Sequence, residues 1–386
     1  MNRFFHIIHQ LSIHSHLTVL TLANKGQIEK AQTKYSNLQT VSFYNVNEDY
    51  EIPKILTFLP KKIAASLYSR ILSYSLLNSA NGILLIFYQP TIKLLKNSHY
   101  DVVVYENLAT LDLAKRIKQK FPQIRQVYDA HNFDTEIALQ QFQRHEISKR
   151  IYKNIIKIES SIYKYIDILW TCSERDKLLF DDVNNNRIAQ IDVIPNGANL
   201  VNLDIIDTKK EKSQNTILFV GSLDYEPNNE GLIWFLNFIL PHIKTKVNLK
   251  IIGSGNASDE LISLLNKTLN AELIGFVEKL DNDYLDAELV IIPLLSGSGT
   301  RLKALEAMNY QRAIISTSKG VEGLDISDQV LIANDPSQFI DAIDSVLLDT
   351  YLRFSLGTKG RQLVEDNYSW SMIGKKIKLS LINTFS

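Results

Sequence analysis

Between residues 216 and 348 short apolar runs alternate with helically spaced segments, and this alternation leaves few ways to fold. The runs 216–220, 249–252, 272–274, 289–293, 313–317 and 330–333 read as strands. The segments 228–240, 258–266, 300–309 and 336–348 read as helices, with apolar Leu232, Phe235, Leu236 and Ile239 spaced along the first. A strand that returns to its sheet through a helix does so by a right-handed crossover, so the expected sheet is parallel and covered on both faces. Gly221, Gly253 and Gly275 follow three of the strands directly, and the carboxyl ends of such strands are where ligands bind.

The first half repeats the style less cleanly. Strands are expected at 17–22, 102–105, 127–129, 168–172 and 191–194, and Pro195-Asn196-Gly197 then breaks the pattern. A polar, lysine-rich stretch at 207–215 reads as a linker. At 386 residues the chain exceeds one ordinary core, so two domains are expected, 1–200 and 201–366, followed by a short C-terminal segment, 367–386.

Charge excludes little but says something. Lys plus Arg and Asp plus Glu are both 42, so no basic excess calls for nucleic acid as a partner. The one cysteine, Cys172, lies in an apolar run and forms neither an internal disulfide nor a cysteine zinc site. That usage fits a cytoplasmic location. No apolar run reaches the length of a membrane span, and residues 1–9 lack a signal-peptide pattern. Two basic segments, 61–77 and 144–166, read as amphipathic helices, the second with isoleucines at 147, 151, 155, 158 and 162. Either a core-packed helix with a charged outer face or peripheral contact with anionic lipid at the inner membrane surface accounts for them.

The segment richest in chemistry is 293–306. A strand gives way to Ser296-Gly297-Ser298-Gly299-Thr300, and a helix follows with Arg301, Lys303 and Glu306 in its first turns. A glycine-rich turn before a helix lets backbone N–H groups approach a phosphate, and the helix dipole favours the negative charge. Lys303 and Glu306 share a helix face. A cation near phosphates and a carboxylate near sugar hydroxyls suit a nucleotide diphosphate; a flexible loop followed by a surface Lys–Glu pair is the plain alternative. In the first half, Val127-Tyr128-Asp129-Ala130-His131-Asn132 puts His131 just after a strand, with Asp134 and Glu136 close behind. His6, His9, His14 and His16 cluster near the start but lack a carboxylate or cysteine to complete a metal site, so no metal is expected.

These landmarks resemble the group 1, or family 4, retaining glycosyltransferases. Glu306-Ala307-Met308 matches the end of the family's Glu-x7-Glu segment, and Gly320-Val321-Glu322-Gly323-Leu324 matches the loop after the next strand. Residues 219–225 resemble the first strand and loop of the family's C-terminal domain, Gly275-Phe276-Val277 the turn that meets the nucleotide base, and Val193-Ile194-Pro195-Asn196-Gly197 the interdomain junction. Glu174 and Arg175 follow Ser173 in a turn similar to one the family places in its cleft. The resemblance implies an α/β chain of the GT-B type: two Rossmann-like domains whose parallel sheets face a central cleft, with the last segment crossing back to the N-domain. It implies hexosyl transfer, with retention, from a nucleotide-diphosphate sugar to a glycan or lipid-linked acceptor, with no separate cofactor. By it, Gly221, Val277, Gly297, Ser298, Gly299, Thr300 and Arg301 bind the donor, Lys303 holds the diphosphate, Glu306 anchors the ribose and His131 works beside the transferred sugar.

The sequence departs from that pattern twice. Ser298 stands where the first acid of the pair belongs, as in a branch of the family with a Gly-Ser-Gly-Thr loop and Lys three residues on. The chain also opens on residues 2–8, which read as a helix, so the family's first strand and glycine loop are not found ahead of it. Both departures suit a non-catalytic GT-B protein supporting a partner enzyme; a sugar-nucleotide epimerase of similar fold is the other alternative.

Overall fold

The computed structural model describes residues 3–21, 26, 29, 33, 41–45, 81–106, 108–203, 215–297, 299 and 301–382. Its packing divides the chain into two units, 1–195 with 374–386, and 196–373.

The first unit opens on helix α1 (Arg3–Ser12), in agreement with the helical reading of that segment. Strands β1 (Leu17–Thr21) and β2 (Val41–Asn45) pair in parallel. Helix α2 (Asn81–Asn97) precedes β3 (Val102–Glu106), α3 (Leu111–Lys120) and β4 (Arg125–Ala130). Helices α4 (Asp134–Gln143) and α5 (Lys149–Glu159) come next, then β5 (Ile168–Thr171), α6 (Glu174–Val183) and β6 (Gln190–Val193). The strands β3-β4-β5-β6 form a four-stranded parallel sheet in sequence order. Leu111, Ile117, Tyr128, Ile162, Leu169 and Phe180 fill a core against it.

The continuous helix expected at 144–166 is shorter than its isoleucine stripe suggests. His145 takes a left-handed conformation at φ 62°, and Ser148 caps α5 by accepting from the Ile151 N–H. The chain therefore turns between α4 and α5. Ile162 falls in a separate 3₁₀ turn and is fully buried. A serine N-cap starts a helix afresh because its side chain satisfies a first-turn backbone donor that has no partner within the helix. The other basic segment, 61–77, lies outside the described residues.

The second unit is a six-stranded parallel sheet: β7 (Thr216–Val220), β8 (Asn248–Ile252), β9 (Ala271–Gly275), β10 (Leu289–Ile292), β11 (Ala313–Ser316) and β12 (Leu331–Ile332). Their spatial order is β12-β11-β10-β7-β8-β9. Numbered within the unit this is 3-2-1-4-5-6 read from the other edge, the doubly wound order whose reversal falls between β7 and β10. Alternate residues explain the two-sided burial. Ile217, Phe219, Leu289 and Ile291 face a core shared with α7 (Glu226–Phe238). Leu218, Val290, Ile292 and Ile314 face a second core, completed by Leu305 and Met308. Those two belong to α10 (Leu302–Asn309), which follows the short helices α8 (Asp259–Leu265) and α9 (Asp281–Asp286). Helices α7 and α10 thus cover opposite faces of the sheet. Near-continuous apolar strands are what a sheet covered on both faces requires.

Helices α11 (Pro336–Leu348) and α12 (Thr350–Leu363) follow, and α13 (Trp370–Ile382) closes the chain. The later part of α13 packs with the first unit. There the indole Nε1 of the fully buried Trp170 donates to Ser380 Oγ at 2.8 Å, and Ser380 Oγ donates to Asp192 Oδ2 at 2.5 Å. Among the described residues no helix is long and apolar enough to cross a membrane.

Ser380→Ala leaves the Trp170 N–H buried without its acceptor, which costs about 2 kcal/mol. We expect thermal melts of the variant to fall by roughly 4–8 °C, with the secondary structure of the folded state unchanged.

Candidate functional site

The reversal of strand order opens a crevice at the carboxyl ends of β7 and β10, because the crossovers on either side leave the sheet in opposite directions. Gly221 follows β7, and Pro293 follows β10. Helix α7 approaches from one face and α10 from the other. Lys303 on α10 reaches across to Asn228 on α7: its Nζ donates to Asn228 Oδ1 at 2.7 Å. The ammonium also lies 4.6 Å from the centre of the Phe219 ring, a cation–π contact. Gly221 makes room for it, since a Cβ there would stand 2.7 Å from Lys303 Nζ and 2.8 Å from Asn228 Nδ2. The Asn228 amide is itself held by donation from Nδ2 to the Ser222 carbonyl at 2.6 Å.

The surroundings of Lys303 are short of negative charge. Among the described residues no carboxylate pairs with it. Burial, reinforced by the like charge of Arg301, pulls its pKa down to about 7. Arg301 precedes the first residue of α10, is buried, and donates from Nε to the Lys319 carbonyl at 3.0 Å. Helix α10 has no acidic residue in its first turn, and its N-cap position, Arg301, gives no side-chain cap, so its N-terminal end suits a negative group.

Glu306 lies one turn further along α10. Burial raises its pKa, and a hydrogen bond from the Tyr284 hydroxyl to Oε2, at 3.1 Å, partly offsets this. Tyr284 is fully buried and stacks on Tyr310, with ring centres 4.7 Å apart. Tyr310 is fixed in turn by its own hydrogen bond to Asp281, at 3.0 Å. The carboxylate therefore stands on a rigid aromatic support. Ahead of α10 the loop takes left-handed backbone at Gly297 (φ 96°) and Gly299 (φ 89°), which L side chains rarely adopt. Ser296 Oγ donates to Glu230 Oε2 on α7 at 2.5 Å and ties that loop to the same helix as Asn228. Ser298 and Thr300 lie outside the described residues. Val277 is half-buried beyond the end of β9 and packs against the core beneath α10.

The first unit has its own charged centre at the carboxyl ends of β3 and β4. His131 Nε2 stands 2.8 Å from Glu106 Oε2 and 3.7 Å from Asp129 Oδ2. Asp129 is fully buried and engaged by Arg3 of α1, with Nε to Oδ2 at 3.0 Å and Nη2 to Oδ1 at 2.6 Å. The ligand atoms of Glu106, Asp129 and His131 lie within 4.8 Å of one another. Both oxygens of Asp129 already face a guanidinium, so the group is organised as an ion-pair network and not as a cation cage. Glu159 accepts from the Asp134 and Thr135 N–H groups at 2.9 and 2.8 Å, capping α4; burial pushes its pKa up to about 7. Glu136 forms a bidentate pair with Arg175. Cys172 is buried, and burial pushes its thiol up to about 12, which suits a packing role.

The sequence model of the group 1 glycosyl transferases matches residues 214–349. That span holds both helices of the crevice and every side chain just described in the second unit. The chain has the GT-B fold, and its second unit carries the segment that matches the group 1 glycosyl transferases. A protein of Klebsiella pneumoniae, described as an uncharacterized 44.6 kDa protein in the cps region, is 36% identical over 135 residues, or 32% of this chain. The match spans 34% of that protein's length. The structure of Anabaena Alr3699/HepE in complex with UDP superposes with a TM-score of 0.65 at 11% identity, covering 99% of this chain and 96% of that one. A glycosyltransferase from Rickettsia africae gives 0.61 at 12% identity, covering 98% and 93%. At these identities the likeness establishes the fold.

The second unit brings together Gly221, Gly297, Arg301, Lys303 and Glu306, with Val277 on the core beneath. His131 belongs to the first unit. Sequence reasoning missed Asn228, Phe219 and Tyr284 as partners of Lys303 and Glu306, and missed Arg3, Glu106 and Asp129 around His131. Asn228 opens the helix expected at 228–240, but nothing local tied it to a lysine 75 positions away.

A lysine whose pKa falls to about 7 on folding costs most stability below pH 7, where both states hold the proton, and the cost is relieved as pH rises from 7 to about 10.5. Stability from this group therefore rises with pH across that window. We expect Lys303→Met to be more stable than the parent at pH 6.5, by on the order of 2–4 kcal/mol in urea melts. The gap should shrink towards pH 9.5.

Proposed function

We propose that the crevice at the ends of β7 and β10 holds the diphosphate of a nucleotide sugar, and that the chain is a retaining hexosyltransferase. One observation carries this reading: Lys303 is buried in the first turn of α10 and, among the described residues, no carboxylate pairs with it, a geometry that an anion completes. A diphosphate brings the missing charge and accepts from the Lys303 ammonium, the α10 backbone donors and the amides of the glycine loop. Glu306, held by Tyr284, accepts from the ribose hydroxyls. The likeness of the whole chain to a UDP-bound GT-B structure supports the same assignment.

During transfer the bond between the anomeric carbon and the diphosphate oxygen breaks, and negative charge builds on that oxygen. The acceptor hydroxyl oxygen bonds to the anomeric carbon on the same face, and its proton passes to the departing diphosphate. Preorganised positive charge at the leaving group is the largest electrostatic demand of such a step. Lys303 meets it without reorganisation, because Asn228 and Phe219 already fix its position. We assign the acceptor to the glycan or lipid-linked class and the reaction to the cytoplasm, at the membrane surface where lipid-linked acceptors lie. The exposed Lys149, Arg150 and Lys153 of α5 are compatible with that setting. His131 is assigned a role in the same reaction on the strength of the family resemblance.

Binding should follow the Lys303 ammonium. Above pH 7 the free protein's lysine is largely neutral and must take up a proton to pair with the diphosphate. We expect affinity for nucleoside diphosphates to fall between pH 7 and 9, by up to about tenfold per unit. Calorimetry in buffers of different ionisation enthalpy should detect the proton uptake. Lys303→Met should weaken binding by about 100-fold and Glu306→Gln by about tenfold, in line with losing a charged and a polar contact. Affinity that does not change with pH, or no binding of UDP, GDP or ADP at millimolar concentration, would sink the reading.

A further inference from the structure

We infer that Glu106 is a positioning residue for His131: it holds the ring by Nε2–H and keeps it an imidazolium, so that Nδ1–H is the donor His131 presents. The inference deepens the proposed transfer reaction and rests on it for its role, while its structural content stands apart.

The argument starts from what a carboxylate can do. A carboxylate only accepts hydrogen bonds, and the ring nitrogen 2.8 Å from Glu106 Oε2 is Nε2. Nε2 therefore carries a hydrogen, and Nδ1 is left for any other partner. Charge counting then fixes the protonation state. The groups facing one another are Arg3 from α1, Glu106 from β3, and Asp129 and His131 from the end of β4. Asp134 on α4 is also within electrostatic reach, its own pKa pushed up by burial to about 6. With a neutral imidazole, Arg3 faces Glu106 and Asp129 and leaves one buried negative charge unbalanced. With an imidazolium the four central charges cancel. Asp134, where ionised, adds to the same preference. Burying unlike charges is tolerable only when the set is closed.

The direction of the His131 shift agrees with this. The hydrogen bond to Glu106 and the charge of Asp129 raise the His131 pKa against the opposing effect of burial. Burial raises the Glu106 pKa, and the hydrogen bond and charge of His131, with the charge of Arg3, work against that rise and favour the carboxylate. The imidazole is fixed on one side while a third of the side chain stays open to solvent. A ring held in this way has one free donor, suited to a hydroxyl or phosphate oxygen.

Glu106 would thus act through His131, and Arg3 would act through Asp129 to keep the closed set neutral. The sign of the pH effect follows. A raised histidine pKa means the imidazolium persists to higher pH and is lost as pH rises through that value. Removing the Glu106 charge should bring the loss to lower pH.

The test is histidine-selective NMR titration of the full chain, with His131 assigned from His131→Gln. In the parent, His131 should titrate above the ordinary histidine value, with Nε2 protonated in both charge states. In Glu106→Gln its pKa should fall by about one unit. Release of nucleoside diphosphate from a donor sugar is followed in parallel, and its high-pH limb should move down by the same amount, with kcat affected more than KM. A parent His131 that titrates at or below 6.5, or whose neutral form carries the hydrogen on Nδ1, overturns the inference from the unmodified protein alone, so a variant that fails to fold does not block the test. A pKa unmoved in Glu106→Gln overturns it as well. A pKa that moves while the kcat limb stays put overturns the role in transfer. A parent that turns over no donor overturns the transferase reading instead, and the NMR arm still decides the pairing.

Discussion

The pairing of β10 with β7, Leu289 opposite Ile217 and Val290 opposite Leu218, is the contact on which the second unit depends. It joins two halves of a parallel sheet whose crossovers leave in opposite directions. Had the chain continued β7-β8-β9-β10 in simple succession, α7 and α10 would share a face and no crevice would form. The reversal puts Asn228 and Lys303 on opposite sides of one gap, close enough for a 2.7 Å hydrogen bond. Local propensity makes neither strand choose the other. The choice follows from burying two apolar faces at once: Ile217 and Ile291 on one side, Leu218 and Ile292 on the other.

How far this could be read beforehand differs between the halves for a physical reason. In the second unit the strand and helix expectations fall within a few residues of the observed elements, because runs such as Ile314-Ile315 are buried on both faces and carry no polar interruptions. Helix α11 matches at both ends, since Asp335 and Pro336 form an N-terminal signal that competes with nothing nearby. In the first unit α3, α4 and α6 went unread. Their first turns lie directly after strands, where polar and charged residues such as Asp134 and Glu174 look like loop until a sheet is there to pack against.

The candidate site shows the same division. Lys303, Glu306 and the glycines of the loop were legible because three or four residues of spacing put them on one turn. Their partners were not. Tyr284 reads as an ordinary core aromatic, and only its hydroxyl's reach to Glu306 gives it a role. Arg3 lies 126 positions from Asp129 and reads as one more residue of an amphipathic helix. Spacing can mark a group that will meet a ligand. It does not show which distant side chain holds that group still, because that is settled by the topology of the sheet.

The two units handle buried charge in opposite ways, and the contrast separates holding a group from waiting for one. Around His131 the four central charges pair off: guanidinium with carboxylate, imidazole with carboxylate, each within 3 Å. Such a set gains little from an added ion. Around Lys303 the neighbours are a neutral amide, an aromatic face and a second cation, and the lysine responds by giving up its proton near neutrality. That arrangement costs stability in the free protein. A fold that only needed a packed helix would place methionine there, and the cost is understandable only if something negative arrives to offset it. The first turn of α10 points the same way, because it carries no acidic residue that would repel an anion.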